Sequence, residues 1–132
     1  KDITFLNKAI SFYNRGYTIK KDYYNGENLA LCYFEKSKQL KNTETANDKD
    51  IVFNEILAEK TFKSVLEITE GIIESTNFNE RSDVKWVYAT AAKSASYLEL
   101  NEKEDLYSSK FKSLCDNSWD FNTFEENKIK KD

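Results

Sequence analysis

The side chains that most often perform catalysis are absent or scattered in this sequence. It contains no histidine, which excludes Ser-His and Cys-His nucleophile pairs and most zinc chemistry. Cys32 and Cys115 are the two cysteines, and their separation excludes a C-x-x-C metal motif. Acidic pairs such as Glu67 with Glu70 have the composition of an acid/base site, but they are typical of a solvated helix surface. We therefore expect no enzyme, no metal and no cofactor.

The best candidate for binding chemistry is a group of tyrosine and asparagine side chains around Tyr24, Asn25 and Asn28. Tyr24 and Asn28 are four residues apart and therefore share one face of a helix. Such a face contacts an extended peptide through amide hydrogen bonds and ring packing. The structural alternative is that Tyr24 packs in the core while Asn25 and Asn28 stabilise the start of the helix.

A second candidate lies around Trp86, where Lys85 and Lys93 flank a predicted helix. The two lysines suit an acidic partner. Trp86 itself is interpreted as a packing anchor between helical hairpins rather than a ligand platform.

The elements that position these residues are predicted to be helices. The chain has no proline and three glycines in 132 residues, whereas sandwiches and barrels need turn residues every ~8–12 residues. The class is therefore all-α, with five or six helices arranged as antiparallel hairpins in one domain over residues 1–132.

The first hairpin is predicted in most detail. Asp2 or Thr4 caps a first helix, which Gly16 ends in a left-handed conformation. The second helix starts near Asp22 and reaches residue 40. Small Gly26 and Ala30 on one of its faces predict tight packing against the first helix.

The later elements follow from polar connections and apolar periodicity. Exposed connections are expected near 41–50, before a long third helix, and near 76–83, between that helix and a fourth that starts at 84. A fifth helix follows from about 103, and the tail is 117–132. Both cysteines are expected to be free thiols, with a disulfide as the alternative, which favours a reducing, cytoplasmic compartment.

Two segments resemble a known family. Ala9-x-x-x-Tyr13-x-x-Gly16, followed by the 22–30 segment DYYNGENLA, resembles the tetratricopeptide-like (TPR-like) TRAFs-binding domain of apoptosis-signal-regulating kinases and its bacterial relatives. The 86–92 segment WVYATAA, which includes Trp86 and Ala89, is similar to that family's second marker. Glu27 and Lys93 depart from the family pattern, which puts the family's partner preference in doubt.

The resemblance implies stacked helical hairpins, a TPR-like α-solenoid, that scaffold other proteins or regulate an attached effector domain. We expect a fragment of a larger signalling-type protein that binds a protein or peptide. The alternative is a sensor whose helices close over a small molecule such as a nucleotide or sugar. Nucleic acid is not expected because the formal net charge is -3, and no apolar run is long enough for a membrane helix.

Overall fold

The computed structural model describes residues 2–126 and 129, and within them every regular element is helical. This confirms the all-α class. The six α-helices are α1 (Ile3–Ile19), α2 (Tyr23–Lys41), α3 (Asp48–Ile73), α4 (Val84–Tyr97), α5 (Asn101–Leu114) and α6 (Ser118–Glu126). The chain divides into two compact units, the first ending at Ser64 and the second beginning at Val65.

In the first unit, α1 and α2 pack against each other, and short polar side chains define where each helix begins. Asp2 Oδ1 accepts a 2.8 Å hydrogen bond from the backbone N–H of Phe5, and Asp22 Oδ1 accepts one of 2.7 Å from Asn25. Each carboxylate satisfies a donor that the first helical turn leaves unpaired. The predicted cap at Asp2 and the predicted start near Asp22 are confirmed.

The predicted end of α1 at Gly16 is wrong. The helix continues to Ile19 and ends where Lys20 becomes extended, and none of the described glycines has a positive φ. The buried residue Tyr17 explains the extra turn, since its hydroxyl shares a 2.5 Å hydrogen bond with Ser64 of α3. This partly buried contact within the first unit stabilises the helix beyond the glycine.

Helix α3 begins at Asp48, within the connection predicted near 41–50. Asn47 Oδ1 accepts hydrogen bonds from the backbone N–H groups of Lys49 and Asp50, at 2.7 and 3.3 Å. Asn47 is therefore the capping residue, and residues 42–47 form the exposed connection after α2.

The second unit has a core of aromatic and small side chains. Its members come from α3, α4, α5 and α6: Leu66, Ala89, Ala91, Ala92, Tyr107, Phe111 and Phe124. Alanine on α4 lets the larger side chains of the neighbouring helices approach closely. The rings of Phe111 and Phe124 lie 4.6 Å apart and join α6 to this core.

The connections in the second unit are more structured than their polar sequences indicate. Residues 76–83 contain a 3₁₀ turn, Phe78–Glu80, whose Phe78 is buried edge-on against Tyr88 at 5.3 Å. Helix α4 ends in a Schellman motif: Glu99 has φ 60°, and the N–H of Leu100 bonds to the carbonyl of Ala95.

Candidate functional site

At the start of α2, hydrogen bonds hold the side chains of Asn25 and Asn28, which were both predicted to bind a partner, in fixed positions. Asn25 donates from its backbone to Asp22 Oδ1 and from Nδ2 to Asp22 Oδ2 at 3.2 Å. Its amide also lies against Gly16, where an added Cβ would meet Asn25 Nδ2 at 3.0 Å. Asn25 thus holds the helix start and α1 together, as in the structural alternative for this residue.

Tyr24 and Asn28 lie on an accessible face of the same helix. The side chain of Tyr24 is 64% exposed, so it does not pack in the core. Asn28 Nδ2 donates a 2.9 Å hydrogen bond to the backbone carbonyl of Tyr24, which orients the amide. A ring and an oriented amide on one exposed turn form a surface on which a peptide can pack and hydrogen-bond.

The small residues predicted to lie between helices are buried. Gly26 and Ala30 on α2 are inaccessible, and Ala89 belongs to the core of the second unit. These positions support the packing of the helices rather than contact with a ligand.

The second candidate group is built around an ion pair. Lys85 Nζ lies 3.2 Å from Asp120 Oδ2 and 4.7 Å from the centre of the Trp86 ring. Trp86 is half exposed, and its ring centre is 6.0 Å from that of Phe111. Lys85 therefore connects α4 to α6, while Lys93 lies partly exposed further along α4.

Sequence reasoning missed a line of exposed apolar side chains along α1. Phe5, Phe12 and Ile19 recur every seven residues and are 48%, 70% and 81% exposed. Lys8 and Arg15 alternate with them and are also exposed. We call these five residues the α1 stripe. The seven-residue spacing is visible in the sequence, but an apolar pattern alone does not show which side chains remain exposed.

A second apolar patch lies at the start of α3. Val52, Phe53 and Ile56, with Asp48 and Lys49, line a shallow, open depression of about 400 Å³. Because the depression is open to solvent, a small molecule in it would keep much of its hydration.

The titratable groups with shifted pKa values have structural causes. Burial, followed by a hydrogen bond to Glu70, raises the pKa of Tyr107 far above its usual range. Burial also raises the pKa of the Cys115 thiol, whose Sγ lies 3.3 Å from the carbonyl of Phe111. Neither shift creates an acid or base poised near neutral pH.

Within residues 2–126 and 129, no three acidic or cysteine side chains come together as ligands for a metal ion. None of the helices described there combines the length and the apolar character that crossing a bilayer requires. No family model, curated protein or solved structure matches this chain. The resemblance to the TRAFs-binding domain therefore stays a prediction.

Proposed function

We propose that this chain is a non-enzymatic, TPR-like protein-interaction module that scaffolds or regulates a larger signalling-type protein. The observation that carries the proposal is a set of exposed large apolar side chains on the helices of the first unit: Phe5, Phe12, Ile19, Tyr24, Val52, Phe53 and Ile56. Exposed apolar side chains that are grouped on a helix, as Val52, Phe53 and Ile56 are on α3, are typical of a partner-binding site.

The start of α2 supports the same function. Tyr24 and Asn28 are accessible, while the neighbouring bonds between Asp22 and Asn25 keep the backbone in place. A partner that binds there meets a preorganised surface, so little conformational entropy is lost on binding. Asn25 and Lys85 support this function indirectly, because their side chains interact with Asp22 and Asp120 of the same chain.

Site-specific photo-crosslinking tests the proposal. A photoreactive phenylalanine analogue replaces Tyr24 in one variant and exposed Glu44 in a control, each expressed in cells that naturally contain the protein. We expect a discrete protein adduct at position 24 that is weakened by Asn28→Lys and absent at position 44. Equal adducts at both positions, or none at 24, would contradict the proposal.

The small-molecule sensor is the rival function, and the open depression on α3 argues against it. A ligand that binds only the folded chain raises the melting temperature, and the increase grows with the ratio of ligand concentration to dissociation constant. We expect no shift with nucleotides or sugars at millimolar concentration. A saturable shift of several degrees would favour the sensor.

A further inference from the structure

The α1 stripe lies outside the packed side of its helix. At 100° per residue, Phe5, Phe12 and Ile19 lie roughly 130° around α1 from buried Leu6 and Tyr17. The apolar part of the α1 surface is therefore wider than the part that the other helices of the first unit cover. An amphipathic helix normally buries this arc against another element.

The charge along the stripe has one sign. Residues 3–21 contain four basic side chains, Lys8, Arg15, Lys20 and Lys21, and no carboxylate, although the whole chain has a net charge of -3. Among the described residues, neither Lys8 nor Arg15 takes part in an ion pair. These cations are available to a partner of opposite charge.

The spacing of the stripe indicates the shape of that partner. Seven residues advance about 10.5 Å along a helix, which is two turns, and a second helix lying alongside repeats its contacts at the same interval. A lipid surface requires no such register. Lys8 and Arg15 also lie on only one side of the apolar line. They are roughly 50° further around α1 from the buried residues than the apolar side chains of the stripe are. A helix with its acidic residues along one edge matches this arrangement.

We propose that the α1 stripe binds an acidic amphipathic helix of a partner protein. Apolar side chains of that helix pack between Phe5, Phe12 and Ile19, and its carboxylates pair with Lys8 and Arg15. This inference rests on the proposed interaction function and adds the chemistry of the partner. Pairing of the stripe with its own copy is disfavoured, because basic residues would then face basic residues.

Two synthetic helical peptides of roughly 21 residues test the charge preference. Both carry leucine at the two apolar heptad positions, and their remaining positions are mainly glutamate in one and lysine in the other. Fluorescence anisotropy with the complete chain at low salt measures their affinities. We expect the acidic peptide to bind at least about tenfold more tightly, with weaker binding as ionic strength rises.

Variants on the stripe test the location. Phe12→Asp places a carboxylate in the middle of the apolar line and abolishes binding of the acidic peptide. The double variant Lys8→Glu with Arg15→Glu reverses the preference towards the basic peptide. Leu106→Asp is the matched control, because Leu106 is a similarly exposed apolar residue on α5, outside the proposed binding surface, and it leaves binding unchanged. Circular dichroism confirms that each variant remains helical.

Four outcomes overturn the inference. The first two are failure of the acidic peptide to bind and equal affinity for both peptides. The third is binding of the acidic peptide that Phe12→Asp does not affect. The fourth is association of the chain with itself, or with anionic phosphatidylglycerol vesicles, if Phe12→Asp abolishes that association. If the peptide fails while crosslinking at position 24 still captures a protein, the proposed function stands and only the partner chemistry falls.

Discussion

The hydroxyl of Tyr107 donates a 2.6 Å hydrogen bond to Glu70 Oε2, and Lys103 Nζ lies 2.9 Å from the same oxygen. The contact joins α5 to the end of α3 within the second unit. Tyr107 is buried, so its phenol retains its proton more strongly in the folded chain than in the unfolded chain.

Alkaline pH should reveal this hydrogen bond. Because the pKa of Tyr107 is raised on folding, its stabilising contribution is complete below the usual phenol value of 10.0 and decreases as pH rises above it. Tyr107→Phe should lower the free energy of unfolding by about 1.5 kcal/mol at pH 8, with a smaller difference by pH 11. Urea unfolding across this range measures the difference. A difference independent of pH would contradict the assignment, and Tyr24→Phe serves as the exposed control.

Alanine substitution should have opposite effects at two helical glycines. A Cβ at Gly71 meets no atom within 4 Å, so Gly71→Ala should stabilise by about 1 kcal/mol through helix propensity. A Cβ at Gly16 contacts the amide of Asn25, which is held by Asp22, so Gly16→Ala should lose that gain and destabilise by about 1 kcal/mol. Thermal unfolding measures both. Equal stabilisation would show that Asn25 moves without cost.

Glycine at position 99 should make the folded chain more stable than glutamate does. Glu99 has φ 60°, a left-handed conformation that strains a side chain with a Cβ. Glu99→Gly should raise the free energy of unfolding by about 0.5–1 kcal/mol, whereas Glu99→Ala should not. Chemical denaturation of both variants distinguishes relief of backbone strain from loss of the carboxylate, because an equal change in both would implicate the carboxylate.

Phe124 should control the docking of α6. Its ring packs 4.6 Å from Phe111, so Phe124→Ala should destabilise the second unit by about 3 kcal/mol and increase hydrogen exchange throughout α6. Leu114→Ala, at a partly exposed position, should cost less than about 1 kcal/mol. Unchanged exchange in α6 after Phe124→Ala would show that its docking depends on other contacts, such as the pair of Lys85 with Asp120.

Short-range sequence patterns predicted where the first two helices begin better than where the first one ends. The cap at Asp2 and the start at Asp22 followed from short polar side chains, whose hydrogen bonds reach only three residues. Gly16 was misread as a helix end because its role depends on Asn25, which belongs to the next helix. Phe78 lies in a polar segment, and its burial involves a contact with Tyr88 of α4, which local patterns do not predict.

The candidate site was predicted in part. Periodicity placed Tyr24 and Asn28 on one face, and the structure shows that face to be accessible. The exposure of Phe5 and Phe12 could not be predicted in the same way, because a sequence pattern shows that a helix face is apolar and not how many neighbours cover it. The ion pair of Lys85 with Asp120 joins residues 35 positions apart, beyond the reach of local patterns.

Cys32 belongs to the first unit and Cys115 to the second, and both are partly buried cysteines that form no disulfide. Each unit thus contains a native reporter of its own local opening, since a partly buried thiol reacts faster with an alkylating reagent when the surrounding structure opens. Mass spectrometry of the two labelled peptides over time would therefore give a separate opening rate for each half of the chain from a single unmodified sample.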